Sequence, residues 1–106
     1  MNKFFIENRF RKYKFSNDFE KLMFLLGVLN NEVINRCKIY KPKYSFQSRN
    51  AIKKVYSKTV ELVKKLELQN VNKEALQIIS MLILKIDEVS FDEFTAEKFF
   101  ILGLSQ

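Results

Sequence analysis

The sequence predicts a single all-α domain, a bundle of four or five helices spanning residues 1–106. The chain has only two Gly and one Pro, too few for the frequent tight turns of a β-protein. Hydrophobic residues make up 47% and charged residues 29% of the chain, which is typical of a folded domain and not of a disordered one. The apolar residues also recur at intervals of three and four, the period of a helix.

The first long helix is expected to begin at Asn17, which has the spacing of a capping box with Glu20. The apolar spacing predicts that this helix runs to about Tyr40, where the approaching Pro42 ends it. Apolar residues occupy nearly all of its faces, so it is expected to lie at the centre of the bundle or beneath a partner. The preceding residues 1–15 are expected to form a further short helix docked on the bundle.

The second helix is expected to begin near Ser48 and to carry one apolar face and one basic face. The predicted buried residues lie within one arc of the helix: Ile52, Val55, Tyr56, Thr59, Val63 and Leu66. The predicted solvent face lies opposite and is almost uniformly positive: Lys53, Lys54, Lys58, Glu61, Lys64 and Lys65.

Two shorter helices complete the predicted bundle. Asn72 is expected to cap a third helix that continues through the apolar positions to Ile86. Ser90 and Glu93 repeat the capping-box spacing, and a last short helix is expected to follow from Thr95. Gly103 would suit the C-terminal cap of that last helix.

Two short segments, FLLGV at residues 24–28 and FILGL at residues 100–104, each place an aromatic residue three positions before a glycine. Two interpretations stay open at this point. Gly27 and Gly103 either mark tight helix crossings, because a glycine lets another backbone approach closely, or belong to ordinary core and an end cap.

The composition argues against an enzyme. The chain has no His and one Cys, which removes the common proton-transfer side chain, a zinc site and a Cys/His nucleophile pair. Only two glycines are present, so there is no phosphate-binding P-loop. The acidic residues near the C-terminus are interpreted as helix-start and solubilising charges and not as metal ligands. No catalytic residue, metal or cofactor is therefore expected.

The sequence also predicts where the protein works. Cys37 is the single cysteine, expected to be a buried thiol, and it gives no reason to place the chain outside the cytosol. No apolar run has the length of a membrane span or of a signal peptide. A cytoplasmic protein is expected.

The positive charge of the chain is concentrated in its first two thirds. Residues 1–65 hold sixteen basic and five acidic residues, whereas residues 66–106 hold three and seven. Between residues 36 and 65 the local net charge reaches +9. A field of this sign attracts polyanions, chiefly nucleic acid or an anionic membrane surface.

The segment KIYKPKYSFQSRNAIKK, residues 38–54, interleaves this charge with aromatic rings. Lys and Arg bind phosphates with little regard for base sequence, and aromatic rings stack on the bases of single strands. The predicted nucleic-acid-binding residues are Arg36, Lys38, Lys41, Lys43, Arg49, Lys53, Lys54 and Lys58. Tyr40, Tyr44 or Phe46 could offer a ring, although packing of these rings into the bundle is the alternative.

Other functions compete with backbone binding. A membrane-surface helix would need a free helix with a bulkier apolar face than the second helix has. A helix-turn-helix regulator would need a shorter turn than residues 41–47 and base-reading side chains where Lys is found. Two alternatives stay open: a protein–protein interaction module, such as an inhibitor or immunity-type protein with a basic docking face, and a small helix-turn-helix transcription regulator.

The order of these features resembles that in the small subunit of type I CRISPR effector complexes. The resemblance is strongest to the C-terminal helical domain of the I-B large subunit. The resemblance rests on FLLGVLNNEV at residues 24–33, the basic linker, two further helices, and an acid-led last helix closing on FFILGL at residues 99–104. It implies a non-catalytic helical bundle that braces an RNA-guided complex and guides the displaced DNA strand along a basic surface.

The same resemblance implies the partners of the chain. These would be the guide RNA, the target DNA, other subunits of the complex and further copies of this chain, with no membrane. The apolar residues left over on the first helix are expected to meet a neighbouring subunit: Phe24, Val28 and Ile39.

Overall fold

The computed structural model of the chain describes residues 14–38 and 43–106. The described residues form no strand, and their α-helices are α1 (Asp18–Arg36), α2 (Arg49–Lys65), α3 (Lys73–Ile83) and α4 (Glu93–Leu104). A short 3₁₀ turn, Ile86–Glu88, lies between α3 and α4. The prediction of an all-α bundle is confirmed. The short helix expected in residues 1–15 lies almost wholly outside the described residues.

Helix α1 begins where the capping signal predicts. The Asn17 side chain accepts a hydrogen bond from the backbone N–H of Glu20 at 3.0 Å, and the Glu20 carboxylate accepts one from the N–H of Ser16 at 2.7 Å. The helix ends at Arg36 and not near Tyr40, because Cys37 adopts an extended backbone with φ −120° and ψ 90°. Asn35 and Arg36 are both exposed, so no burial stabilises a further turn.

Helix α1 lies at the centre of the bundle and contacts each of the other three helices. Every residue from 22 to 30 is buried, which confirms that this helix is covered on nearly all sides. Phe24 and Val28 expose only 0% and 4% of their surface, so the prediction that they meet a neighbouring subunit is wrong. They pack beneath α4 of their own chain, and Ile39 lies outside the described residues.

Helices α1 and α4 cross in backbone contact at two glycines. A Cβ atom on Gly27 would lie 2.1 Å from the carbonyl oxygen of Phe100, and a Cβ on Gly103 would lie 2.1 Å from that of Phe24. Real Cβ atoms do not approach backbone so closely, so only glycine fits either position. Of the two interpretations of FLLGV and FILGL, the tight crossing is therefore correct. Gly103 lies inside α4, whose C-cap is Ser105.

Helix α2 has the predicted start and the predicted two faces. The Ser48 hydroxyl accepts a hydrogen bond from the N–H of Ala51 at 3.1 Å. Ile52, Thr59 and Val63 are buried, and the other residues of the predicted stripe are half-buried. The lysines of the opposite arc are exposed apart from Lys53, which is half-buried.

The C-terminus of α2 closes in a Schellman motif without glycine. The N–H of Glu67 donates to the carbonyl of Lys64 at 3.1 Å, and the N–H of Leu68 donates to that of Val63 at 2.8 Å. Glu67 has φ 58°, a left-handed conformation that normally favours glycine. Burial of Val63 and Leu68 accompanies the motif and provides the hydrophobic contact that usually stabilises it.

The last two helices differ from prediction at their ends. Asn72 precedes α3 as predicted, but its amide donates to the carbonyl of Leu68 at 3.0 Å and makes no cap hydrogen bond. Helix α3 stops at Ile83, and Ile86 is buried from the following 3₁₀ turn. Helix α4 begins at Glu93 because the Asp92 carboxylate, and not Ser90, caps the N–H of Thr95 at 2.9 Å.

Candidate nucleic-acid interface

The connection before α2 and the exposed side of α2 face each other across an open groove of about 380 Å³. Residues 43–48 form one wall, the first three turns of α2 form the other, and α1 contributes to the floor. The lining residues are Asn30, Lys43, Tyr44, Ser45, Ser48, Asn50, Ala51, Lys54, Val55, Lys58 and Thr59. We call this feature the lysine groove.

A buried hydrogen-bond network forms the floor of the lysine groove. The Asn30 amide donates to the Leu26 carbonyl at 2.7 Å and to the Thr59 hydroxyl at 2.8 Å. The Tyr44 hydroxyl donates to the Asn30 side-chain oxygen at 2.9 Å. Asn30 is 1% exposed, so these bonds satisfy an amide that would otherwise be buried without partners. The network ties the residue 43–48 connection to α1 and α2 and holds the two walls in place.

Three of the predicted binding residues lie together at this groove. Lys43 lies on one wall, and Lys54 and Lys58 lie on the other; all are exposed. Lys43 and Lys54 form no ion pair with any described residue, and Lys58 approaches Glu61 at 3.5 Å between two exposed side chains. An exposed pair of this kind contributes little and is screened by salt. The three ammonium groups therefore remain available to an anion.

The positive surface continues along α2 beyond the groove. Lys54, Lys58 and Lys65 follow one another at spacings of four and seven residues, which places them on one stripe of the helix. All three are exposed, and Glu61 is the acidic member of the same stripe. From Lys54 to Lys65 the stripe is about 16 Å long at 1.5 Å per residue. A stripe of this length offers contacts to several phosphates of one strand.

Arg49 has a structural role in this chain. Its Nε donates to the carbonyl of Ile86 at 3.0 Å, and one of its terminal nitrogens donates to that of Val89 at 2.7 Å. The guanidinium also lies 5.7 Å from the centre of the Phe91 ring. Because two of its five N–H donors bind these carbonyls and its guanidinium lies against a ring, Arg49 is held within the chain, which argues against its predicted role as a free phosphate ligand.

Lys53 lies beside the lysine groove but is partly neutralised. Its ammonium is 3.1 Å from the Asp87 carboxylate, with 41% and 68% of the two side chains exposed. Lys53 and Lys54 line a shallower depression together with Asn50 and Ser57. Part of the Lys53 charge is therefore neutralised within the chain, whereas Lys54 has no ion-pair partner among the described residues.

Arg36 and Lys38 do not line the groove. Arg36 lines a separate depression together with Glu32, Asn35, Leu68 and Val71. Lys38 is exposed beyond the end of α1, and Lys41 lies outside the described residues. Of the seven predicted binding residues that the structure describes, three therefore line one groove and four do not.

The described aromatic rings of the basic segment pack into the bundle. Phe46 is 7% exposed, and its ring centre lies 4.9 Å from that of Phe100. The half-buried Tyr44 ring lies 4.4 Å from Phe100 and nearly parallel to Phe46 at 6.2 Å. The packing alternative is correct for Phe46, whereas Tyr44 both packs and lines the groove. Tyr40 lies outside the described residues.

On its other side, the residue 43–48 connection borders acidic and apolar side chains of α4 and not lysines. A second groove of about 390 Å³ lies between this connection and α4 and is lined by Glu93, Glu97, Ile101 and Leu104, among others. Large apolar side chains are also exposed in this later part of the chain: Val71, Met81, Leu84, Phe94 and Ile101. The basic surface and the exposed apolar side chains thus belong to different segments.

Among residues 14–38 and 43–106, no group of three acidic or cysteine side chains lies close enough to hold a metal ion. None of the helices in this part of the chain combines the length and the apolar character that a membrane span requires.

Sequence reasoning missed the floor of the lysine groove. A signal was present, because Asn30 follows Leu26 by four residues and precedes Val33 by three on a helix that is otherwise apolar there. A polar side chain on such a face requires hydrogen-bond partners.

Comparison of the chain with protein-family models, with curated proteins and with solved structures finds no match.

Proposed function

We propose that the chain is a non-catalytic module that binds nucleic-acid strands through their phosphates, without regard to sequence, at the lysine groove. One observation carries the proposal: Lys43, Lys54 and Lys58 line a single groove, and two of them have no ion-pair partner among the described residues. Phosphate contacts of this type provide most of the affinity in sequence-independent binding.

The chemistry of the surrounding residues supports this proposal. Around the three lysines lie hydroxyl and amide groups, including Ser45, Ser48 and Asn50, which also donate hydrogen bonds to phosphate oxygens. The acidic residues lie mostly elsewhere, since residues 66–106 hold seven of the twelve. A polyanion therefore meets attraction along α2 and little local repulsion.

The test is the affinity for a labelled single-stranded oligonucleotide across a salt series. The variant Lys54→Gln/Lys58→Gln should bind more weakly, and its slope of log affinity against log salt should be less negative by about 1.4, because each lost contact to a single strand contributes about 0.7. Replacement by Gln removes charge without creating new repulsion.

The matched control removes the same charge elsewhere. Lys73 and Lys85 are exposed and line none of the grooves described above. The variant Lys73→Gln/Lys85→Gln should bind within about twofold of the parent, because it leaves the lysines that line the groove in place and changes only the overall charge, whose effect salt screens. Equal losses in the two variants would show that net charge and not the groove binds the strand.

The resemblance to CRISPR small subunits leads to a finer proposal, in which the strand is the guide, target or displaced strand of an effector complex. The basic groove on a helical bundle is compatible with that role. The motifs behind the resemblance, however, have a packing function here, since Gly27 and Gly103 form the α1–α4 crossing. Effector-complex genes beside this reading frame, or this frame lying inside a longer one, would support the finer proposal; an unrelated neighbourhood would count against it.

A protein–protein interaction module is the second candidate. The five large exposed apolar side chains, all between residues 71 and 101, favour it, because such residues offer contacts to a protein partner. The same salt series separates the two candidates. Absence of strand binding at low salt would favour the interaction module.

A transcription regulator is the third candidate function for a small basic helical protein. The connections between successive described helices are residues 37–48, 66–72 and 84–92, all longer than the turn of about three to four residues in a helix-turn-helix. Competition between one duplex and random DNA tests this reading directly. A strong preference for one duplex sequence would favour a regulator over backbone binding.

A further inference from the structure

The lysine groove has the size of a small-ligand site. Its volume of about 380 Å³ falls within the range of roughly 300–1,000 Å³ that is usual for small-molecule pockets. A flat phosphate-binding surface needs no such recess, because contacts to the sugar-phosphate backbone are made from a rim or a stripe. The recess is therefore a second feature, distinct from the charge beside it.

The lining of the groove changes from charged at the rim to mixed within. The lysines are exposed, whereas Tyr44, Ala51 and Val55 are half-buried and present apolar surface. Hydroxyl and amide groups of Ser45, Ser48 and Asn50 lie between them. This combination of cations, apolar wall and hydrogen-bonding groups matches the three parts of a nucleotide: its phosphate, the face of its base and the edges of its base.

We propose that the lysine groove accepts one nucleotide of a single strand, with its phosphate among Lys43, Lys54 and Lys58 and its base against Tyr44, Ala51 and Val55. This inference rests on the proposed function and names the form of nucleic acid that the site takes. The Asn30 network fixes the distance between the walls, since it joins Tyr44 on one side to Thr59 on the other.

A duplex does not satisfy the same groove. Its bases are stacked and paired inside, so that only its phosphates reach a protein that binds the backbone. Taking a base out of a duplex requires unstacking and unpairing, which costs free energy, whereas a single strand turns a base outward more readily. The groove should therefore favour single strands over duplexes of the same length.

The experiment compares an oligonucleotide with an abasic oligomer that has the same sugar-phosphate length. Each competes with a labelled oligothymidylate for the parent protein, followed by fluorescence anisotropy. We expect the abasic oligomer to bind about tenfold more weakly, because one base contact is worth that order of affinity. The salt slopes should be equal, since the phosphate contacts are the same.

A variant that fills the groove provides the second part of the experiment. Ala51→Leu extends the helical wall into the recess without changing charge, and it should bring the ratio of normal to abasic affinity close to one. Ser80→Leu, at an exposed position of α3, is the matched control and should leave the ratio unchanged. If circular dichroism shows that Ala51→Leu does not fold, Ser45→Leu fills the groove from the opposite, exposed wall.

The outcomes separate the inference from the proposed function. Equal affinity for normal and abasic oligomers, or equal affinity for duplex and single strand, would overturn the single-nucleotide site while leaving backbone binding intact. A ratio unaffected by both groove-filling variants would place the base elsewhere and also overturn it. No binding of any oligomer at low salt would overturn both.

Discussion

Asn30 organises the candidate site although it does not belong to the basic segment. Its amide and side-chain oxygen join α1 to Thr59 on α2 and to Tyr44 in the connection before α2. An uncompensated amide at this depth would lower stability by about 1–3 kcal/mol. The hydrogen bonds offset that penalty and at the same time fix the position of the wall that carries Lys43.

Arg49 and Lys54 show that neighbouring basic residues on one helix have different tasks. A cation in the first turn of a helix is disfavoured by the macrodipole, yet Arg49 is retained there with its head group bound to two carbonyls. Its side chain fastens the start of α2 to the segment that precedes α4. The exposed Lys54 makes no comparable contact in the described structure.

The two residues should therefore respond in opposite ways to replacement by Ala. Arg49→Ala should lower the free energy of unfolding by about 1.5–3 kcal/mol, as expected for hydrogen bonds to a charged group, and change strand affinity less than twofold. Lys54→Ala should change stability by less than about 0.5 kcal/mol and weaken strand binding. Urea unfolding and anisotropy on both variants measure this contrast. Strand binding lost in Arg49→Ala with full stability would restore Arg49 as a ligand.

Asp92 gives the start of α4 a dependence on pH. The hydroxyl and then the backbone N–H of Thr95 donate to the Asp92 carboxylate and lower its pKa below the usual 3.8. Because the pKa is lowered on folding, the stability that this carboxylate contributes is present above about 3.8 and disappears as the pH falls through the lower folded pKa.

Replacement of Asp92 by Asn should flatten this dependence. Asn is an equally good N-cap but does not titrate, so Asp92→Asn should match the parent near pH 7 and lose less stability than the parent below pH 3.8. Asp92→Ala removes the cap and should be less stable than the parent near pH 7, and this difference should shrink as the pH falls below 3.8. Thermal unfolding from pH 7 to pH 2.5 measures all three proteins; parallel curves for the parent and the Asn variant would contradict the assignment.

At the scale of elements, α1 and α4 form the tightest contact of the fold. Each glycine lies opposite the backbone carbonyl of a phenylalanine on the other helix, so the contact is reciprocal. Phe100 then reaches the rings of Tyr44 and Phe46. The crossing therefore sets the position of the aromatic residues behind the lysine groove.

Gly27→Ala compares two opposite effects on stability: the close contact at this crossing and the higher helix propensity of Ala. Ala is favoured over Gly inside a helix by about 1 kcal/mol, so an open position would gain stability. Here the new Cβ would meet the Phe100 carbonyl oxygen at 2.1 Å, and the helices would have to separate. We expect a net loss of about 3 kcal/mol or more, measured by urea unfolding.

A control for Gly27→Ala is available on α3. Ser80 is exposed, and Ser80→Ala should change stability by less than about 0.5 kcal/mol. A Gly27→Ala protein as stable as its parent would show that the two backbones do not touch in solution.

At the scale of the molecule, folding gives different surroundings to basic residues that lie close together in the sequence. Part of the basic excess is used internally or paired, at Arg49 with carbonyls and at Lys53 with Asp87. What remains exposed near α2 is grouped at the lysine groove and along the stripe to Lys65. Asp87, in the turn between α3 and α4, pairs with Lys53 at one edge of the basic surface.

The amino-acid sequence by itself determined the helical class, the starts of α1 and α2, and the two faces of α2. These features depend on interactions within a few residues: caps at Asn17 and Ser48, and the helical period. The tight pairing of Gly27 and Gly103 was also visible as one of two interpretations, because the repeated aromatic–glycine spacing is local.

Only the tertiary structure decided which residues of the basic segment share a site. Arg49 binds two carbonyls that are 37 and 40 residues away in sequence, and Phe24 and Val28 are buried in the bundle. The floor of the lysine groove likewise joins Asn30 to Thr59, 29 residues apart. Contacts between residues so far apart in sequence depend on how the helices pack against one another. The spacing of neighbouring residues predicts single helices, but it does not predict which helices will lie side by side.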